Sequence, residues 1–128
     1  MAKMKVLNWF PGGRYTKGLK SLFGKKKKRE NPDFRTLRMG PKWANRLNPG
    51  DRVAVSISDK PEKPNIIGYT EVIEVSKKIF YILKEKDFIN NIGAKSWGQA
   101  LHDMKAVYGK EMNIYVVVSV LDLMVLDE

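Results

Sequence analysis

The spacing of apolar residues along this chain predicts both strands and helices. Alternating or continuous apolar runs, which are typical of strands, occur in six segments: Lys3–Phe10, Phe34–Arg38, Arg52–Ser58, Ile66–Val75, Ile79–Leu83 and Asn113–Leu126. The last segment is apolar on both faces, which indicates a central strand. Because its 14 residues exceed the usual length of a strand, we expect a bend or break near Asp122.

Two longer segments carry the spacing of one helical face. Tyr15–Phe23 has apolar residues at every third or fourth position, and Gly24 follows as a C-cap glycine. Ser96–Tyr108 begins with a capping-box pattern, in which a serine precedes a glutamine by three residues. Shorter helical patterns cover Trp43–Leu47 and Lys84–Asn91.

The order of these elements predicts one α+β domain over residues 1–128. The chain is long enough for a single hydrophobic core. Strands and helices do not alternate as they do in a parallel βαβ sheet. We therefore predict a small, mostly antiparallel β-barrel of about six strands, with two or three helices packed at its ends.

Composition excludes several classes of protein and site. The chain is 43% apolar and 30% charged, which is ordinary for a globular domain. It has no cysteine and one histidine, His102, which excludes disulfides, thiol catalysis and His- or Cys-rich metal sites. No apolar run is long enough for a membrane helix, and the first residues lack the core of a signal peptide. We expect an intracellular, cytoplasmic protein, monomeric, without membrane association, metal or cofactor.

The positive charge of the chain is confined to its first third. Residues 1–40 hold twelve Lys or Arg and two acids, whereas residues 41–128 hold twelve of each. Five consecutive cations, Lys25–Arg29, lie in a segment, Lys25–Asp33, that we expect to be an exposed and mobile basic loop. Such a one-sided charge attracts polyanions, because each neutralised phosphate releases a counterion. The alternative is a solvated segment that only increases solubility.

A series of short motifs, in order, resembles one known family. The motifs are Gly24-Lys25-Lys26, Thr36-Leu37-Arg38, Pro41-Lys42-Trp43, Pro49-Gly50-Asp51, Gly68-Tyr69, Ile73-Glu74-Val75 and a late helix ending at Tyr108. Together they resemble the ASCH domain, a PUA-like β-barrel family associated with RNA. The resemblance covers about residues 4–125 and implies a PUA-like barrel that binds RNA.

The resemblance also implies a candidate catalytic pair, Lys26 and Thr36. Family members similar to bacterial acetylcytidine amidohydrolase combine such a lysine and threonine with a glutamate just before the late helix. Here the corresponding segment, Ile89–Ala94, contains no acid, and Lys26 is separated from Thr36 by the basic segment. Glu71 and Glu74 offer no acid–base couple either, because residues three apart in a regular strand lie on opposite faces.

The candidates for binding nucleic acid are Arg38, Lys42, Trp43 and the five consecutive cations Lys25, Lys26, Lys27, Lys28 and Arg29. An arginine can bind a phosphate or a base edge through two parallel hydrogen bonds, and an aromatic ring beside cations suits an unpaired base. The alternatives are an ion pair of Arg38 with a neighbouring strand and a place for Trp43 in the core.

Three functions remain open from the sequence. The first is binding of nucleic acid, RNA rather than DNA, by an ASCH-like module through a basic cleft. The second is a hydrolase that acts on a modified nucleoside or an RNA phosphodiester with Lys26 and Thr36. The third is a small interaction protein, for example a viral one, that binds a host protein or nucleoprotein through its basic face.

Overall fold

The computed structural model describes residues 4–24, 33–88, 92 and 94–126. In this part of the chain five strands form one sheet, with the spatial order β1-β3-β4-β5-β2. The strands are β1 (Lys5–Trp9), β2 (Asp33–Met39), β3 (Arg52–Ile57), β4 (Ile66–Ile79) and β5 (Val117–Val125). β1 runs parallel to β3, and the other three pairs are antiparallel. The sheet curls into a half-barrel, which confirms the predicted α+β fold.

Helices connect and flank these strands. The α-helices among the described residues are α1 (Gly13–Gly24), α2 (Lys42–Arg46) and α3 (Trp97–Tyr108), and short 3-10 helices cover Phe80–Ile82, Glu85–Phe88 and Gly109–Glu111. The serine half of the predicted capping box of α3 is confirmed, since Ser96 Oγ accepts a hydrogen bond from the Gln99 N–H at 3.2 Å. The Gln99 side chain accepts from the Lys95 N–H at 3.0 Å instead of from the Ser96 N–H. No helix in the described ranges is long and apolar enough to cross a membrane.

Two predicted strands have different boundaries in the structure. Ile79–Leu83 adds no strand of its own, because Ile79 ends β4 and a 3-10 helix follows. The described sheet therefore has five strands where the sequence predicts about six. The last strand begins at Val117 instead of Asn113, since the backbone turns at Ile114–Tyr115. Of the predicted bend or break near Asp122, the break is wrong, because β5 pairs without interruption from Val117 to Val125.

The irregularity lies opposite Asp122, in β4. Val72 pairs with Leu123 and Glu74 pairs with Asp122, so Ile73 is an extra residue in a β-bulge. Glu71 pairs with Met124, which is on the same face of β5 as Asp122. Glu71 and Glu74 consequently share a face of the sheet, and the expectation of opposite faces is wrong.

Two hydrophobic clusters lie on opposite faces of the β2–β5 pair. Leu121 and Leu123 of β5 belong to the first cluster, on the inner face of the curled sheet, where α1 packs through Leu19. Val118 and Val120 point the other way and belong to the second cluster, together with residues of α3. β5 is thus buried on both faces, as its sequence predicts.

The two edge strands of the sheet, β1 and β2, approach each other without pairing. The rings of Trp9 and Phe34 lie 6.4 Å apart across this gap. Arg38 Nη1 of β2 donates a hydrogen bond to the Asn8 carbonyl of β1 at 3.0 Å. The half-barrel is therefore linked across its open side by side chains, and a cleft opens beside this link.

Candidate functional site

The cleft has a volume of about 500 Å³ and is walled by both edge strands and all three described α-helices. Its polar and aromatic lining residues are Asn8, Trp9, Phe10, Tyr15, Thr36, Arg38, Trp43, Asp103 and Tyr108. A concave apolar pocket with a few polar groups is the usual form of a ligand site, and about 300–1,000 Å³ is the usual size.

The turn after β1 positions the α1 wall of the cleft. Gly12 has φ +91, a conformation that glycine adopts without strain. The buried hydroxyl of Thr16 donates toward the carbonyls of Phe10 at 3.0 Å and Gly12 at 2.8 Å, which fixes the first turn of α1. Tyr15 then reaches α3, where its hydroxyl donates to Asp103 Oδ2 at 2.8 Å.

A buried serine of β5 positions the α2 wall. Ser119 Oγ donates to the Gly40 carbonyl at 2.7 Å and accepts from the Ala44 N–H at 3.0 Å. These two bonds attach both ends of the β2–α2 turn to the central strand. As a result, the half-buried ring of Trp43 is held against the first hydrophobic cluster and faces the cleft.

Arg38 is the cation of the cleft wall. Thr36 and Arg38 are two residues apart in β2, so both side chains lie on the inner face of the sheet. Arg38 is half-buried, with its Nη2 atom fully enclosed, and its guanidinium carbon lies 4.3 Å from the centroid of the Trp9 ring. Nη1 is bonded to the Asn8 carbonyl, whereas the buried Nη2 has no hydrogen-bond partner among the described residues.

Among the described residues no carboxylate forms an ion pair with Arg38. Removal from water lowers the pKa of Arg38, and the nearby Tyr108 acts in the opposite direction. Asp103, the one acid in the described cleft wall, accepts from Tyr15 and forms no ion pair with Arg38. A buried cation without a counter-charge is costly, and a bound anion would reduce that cost.

These features together suit a ligand that combines a flat ring with an anionic group. Trp43 offers an aromatic face on the cleft wall, and the Arg46 guanidinium lies 5.8 Å from the centroid of that ring. Arg38 offers hydrogen-bond donors for the anion. In the described ranges no three His, Cys, Asp or Glu side chains are grouped closely enough to hold a metal ion.

The comparisons with known proteins show similarity at the level of the fold. No protein-family model matches the chain, and no curated protein sequence matches it. A crystal structure of an ASCH domain from Lactobacillus crispatus JV V101 superposes with a TM-score of 0.62 and 14% identity, over 94% of this chain and 79% of that chain. The hypothetical protein PH0355 superposes with a TM-score of 0.57 and 21% identity, over 96% of this chain and 100% of that chain.

The chain has an ASCH-like fold. The resemblance inferred from the order of its short motifs is confirmed at this level, and so is the PUA-like barrel architecture. The fold places β2, which carries Thr36 and Arg38, at the edge of the half-barrel next to the cleft.

The ASCH-like fold brings together three of the residues proposed from the sequence. Thr36, Arg38 and Trp43 line one cleft, and Thr36 is only 4% exposed. Lys42 is adjacent to Trp43 and exposed to solvent. Lys25, Lys26, Lys27, Lys28 and Arg29 lie outside the described residues. The catalytic pair of Lys26 and Thr36 therefore stays a prediction.

The sequence does not predict the roles of several residues of the ASCH-like cleft. Trp9 is both a core residue and the ring beneath Arg38, and its place in an apolar strand predicts only the first of these roles. Asn8 gives a weak signal as a polar residue inside an apolar strand; its side chain is bonded to Ser56 and Ser58, while its carbonyl accepts from Arg38. Asp103 has no signal beyond its place on a helix, because its bond to Tyr15 depends on the packing of α1 against α3.

Proposed function

We propose that this chain binds RNA and that the cleft accepts an unpaired nucleotide. The observation that carries the proposal is the environment of Arg38, a buried guanidinium with one unpartnered nitrogen in a cleft that also holds an aromatic ring. RNA-binding proteins generally recognise unpaired nucleotides by stacking the base on an aromatic ring and binding the phosphate with cations.

The cleft wall supports a base more readily than a duplex. Trp43 is half-buried and its backbone is anchored through Ala44 to Ser119, so little entropy is lost when its ring receives a base. A concave site of this volume admits a single base, whereas a double helix presents a broad convex surface.

The charge of the chain supports a polyanionic partner. The net charge is +10, and the excess precedes or lies within β2, the strand that contributes Thr36 and Arg38 to the cleft. Lys42 is exposed and next to Trp43 in the sequence, and we assign it to the backbone of a strand whose base stacks on that ring. The ASCH-like fold, whose known members are associated with RNA, adds to this support.

Replacement of the Trp43 ring tests the proposal directly. Trp43→Leu keeps an apolar side chain against the core but removes the stacking surface, so we expect the affinity for single-stranded RNA to fall by about tenfold. Fluorescence anisotropy with labelled single-stranded RNA, duplex RNA and single-stranded DNA, each over a range of salt concentrations, measures this change.

The matched control is Tyr115→Leu, which removes an aromatic ring that is 74% exposed and outside the cleft. We expect this variant to bind as the unmodified chain does. Circular dichroism verifies that both variants are folded. Equal affinity of the Trp43→Leu variant and the unmodified chain, or binding of duplex RNA at least as tight as that of single strands, would contradict the proposal.

A further inference from the structure

Only some of the N–H donors of the Arg38 guanidinium have a hydrogen-bond partner among the described residues. An arginine carries five N–H donors. Nη1 donates to the Asn8 carbonyl at 3.0 Å, and the Trp9 ring covers the guanidinium from a distance of 4.3 Å. Nη2 is buried and donates to no atom in the part of the chain that the structure describes. The side chain is thus held from two sides, while one nitrogen retains free donors.

The surroundings of Arg38 favour an anion as the hydrogen-bond partner of Nη2. A neutral acceptor would satisfy Nη2 but leave the buried charge uncompensated, whereas an anion does both. Within the described residues no carboxylate is paired with Arg38, and Asp103 on the same cleft wall is engaged by Tyr15. An anion bound in the cleft would therefore accept a hydrogen bond from Nη2 and balance the charge of Arg38.

The position of Arg38 restricts which phosphate can reach it. An internal phosphodiester is flanked by two nucleotides, so the strand would have to enter the cleft and leave it again. The volume of about 500 Å³ is that of a pocket for one small molecule. A phosphate monoester at the end of a strand needs only one entrance, and it carries a charge of about −1.5 to −2 near neutral pH.

We propose that the cleft binds a phosphate monoester of a nucleotide, with the phosphate on Arg38 and the base against Trp43. The inference rests on the proposed RNA binding for the identity of the nucleotide, and it makes the module a receptor for phosphorylated RNA ends. A free nucleoside monophosphate carries the same chemistry, so the experiment includes both sources.

The first experiment compares three single-stranded RNAs of one sequence that have a 5′-phosphate, a 3′-phosphate or only hydroxyl ends. We expect one phosphorylated RNA to bind about tenfold more tightly than the hydroxyl-ended RNA, because the bonds to Arg38 are charge-assisted. Free nucleoside 5′- and 3′-monophosphates compete for the same site, and the unphosphorylated nucleoside competes less well. The preferred isomer identifies the end that is bound.

A second measurement locates the ligand in the unmodified chain. The chain has three tryptophans, so its NMR spectrum contains three indole N–H signals. Nucleoside monophosphate should shift the signals of Trp9, beneath Arg38, and Trp43, on the cleft wall. Trp97 is the internal control, since its indole N–H donates to the Phe80 carbonyl at 3.2 Å and it does not line the cleft.

The Arg38→Gln variant should lose the preference for a phosphorylated end. Arg52→Gln is the matched control, because it removes the same charge from an exposed position on β3 outside the cleft, and it should keep the preference. Arg38 also links β1 to β2, so Arg38→Lys is measured in parallel; it keeps the charge but lacks the planar donor pair. If neither Arg38 variant folds, the comparison of RNA ends and the indole shifts still decide the proposal.

The outcomes separate this inference from the proposed function. Equal binding of hydroxyl-ended and phosphorylated RNA would overturn the inference and leave RNA binding intact. Binding of nucleoside monophosphates without binding of any RNA would support the phosphate site and overturn the proposed function. A phosphate preference that persists in a folded Arg38→Gln variant, or indole shifts at Trp97 alone, would overturn the assignment of the phosphate to Arg38.

Discussion

Asp87 anchors the segment after β4 through a buried carboxylate. Lys78 Nζ donates to its Oδ1 at 2.7 Å, and the Lys84 N–H donates to its Oδ2 at 2.8 Å. Burial raises the pKa of Asp87, but the two hydrogen bonds and the Lys78 charge outweigh it, and the net effect is a lowered pKa. The ionised carboxylate thus joins the 3-10 helix Glu85–Phe88 to the sheet.

This arrangement predicts a loss of stability in acid. A lowered folded-state pKa means that Asp87 stabilises the fold above its unfolded pKa of about 3.9, and that the contribution is lost as the pH falls through the folded value. Asp87→Asn should reduce the free energy of unfolding by about 1–3 kcal/mol near neutral pH. In urea denaturation, the difference from the unmodified chain should shrink toward about pH 3.

The exposed acid of the same short helix provides the control. Glu85→Gln removes a carboxylate with an exposed side chain two residues away, so the free energy of unfolding should change by less than about 0.5 kcal/mol. A constant difference between Asp87→Asn and the unmodified chain across the acid range would show that the charge of Asp87 does not stabilise the fold.

At the scale of elements, α1 is attached to the sheet by the contact of Phe23 with Gly68. A Cβ on Gly68 would clash with Phe23 Cδ1. The Phe23 ring also packs edge-on against Phe34 of β2, with 6.4 Å between the ring centroids. The absence of a side chain in β4 therefore permits the end of α1 to reach the core.

Gly68→Ala should displace the Phe23 ring and destabilise the fold by about 1–3 kcal/mol. Thermal and urea denaturation measure this loss. The control is Gly98→Ala in α3, where an added Cβ meets no atom within 4 Å. Alanine favours helices over glycine, so the control should leave the stability unchanged or increase it by up to about 1 kcal/mol. Equal stability of the two variants would show that the Phe23 contact is not needed.

Most elements follow from the periodicity of the sequence, whereas departures from regular pairing do not. The N-cap bond of Ser96 and the apolar density of β5 depend on nearby residues, and both predictions are confirmed. The bulge at Ile73 leaves only a weak local signal, since Val72 and Ile73 are adjacent apolar residues that interrupt the alternation between Glu71 and Glu74. Ile79–Leu83 is apolar enough for a strand, but hydrogen bonds from Phe80 and Tyr81 to Val116 and Ile114 turn the chain into a 3-10 helix.

The candidate site follows from the sequence only where a known motif marks a residue. Thr36, Arg38 and Trp43 belong to short motifs, and the structure brings them into one cleft. Asn8 and Trp9 reach Arg38 because the curled sheet brings its two edges together. The approach of the two edges depends on the order of the strands in the sheet, which cannot be predicted from residue spacing or composition.

At the scale of the whole molecule, the uneven charge predicts a strong effect of salt on RNA binding. Replacement of the five cations of Lys25–Arg29 by glutamine removes half of the net charge of +10. We expect the slope of log K against log salt concentration to decrease in magnitude by about two units on single-stranded RNA. The free energy of unfolding should change little, because these charges repel one another.

A second variant tests whether the location of the charges matters. Five exposed lysines elsewhere in the chain, Lys60, Lys63, Lys86, Lys105 and Lys110, are replaced by glutamine, so both variants have the same net charge. The slope should change by less than about one unit in this variant. Equal slopes in the two variants would show that only the total charge acts, and an unchanged slope in the first would favour solubility as the role of the basic segment.

β5 lies between β4 and β2, and this position has a consequence for synthesis of the chain. β2 pairs only with β5, and β4 lies between β3 and β5. The ribosome makes β5 after the other four strands, at about 5–20 residues per second. Until then, β2 has no neighbouring strand to pair with, and it is separate from the β1-β3-β4 part of the sheet. The wall that carries Thr36 and Arg38 therefore forms only after translation has passed Val125, so a ribosome-bound chain that stops short of β5 has no cleft.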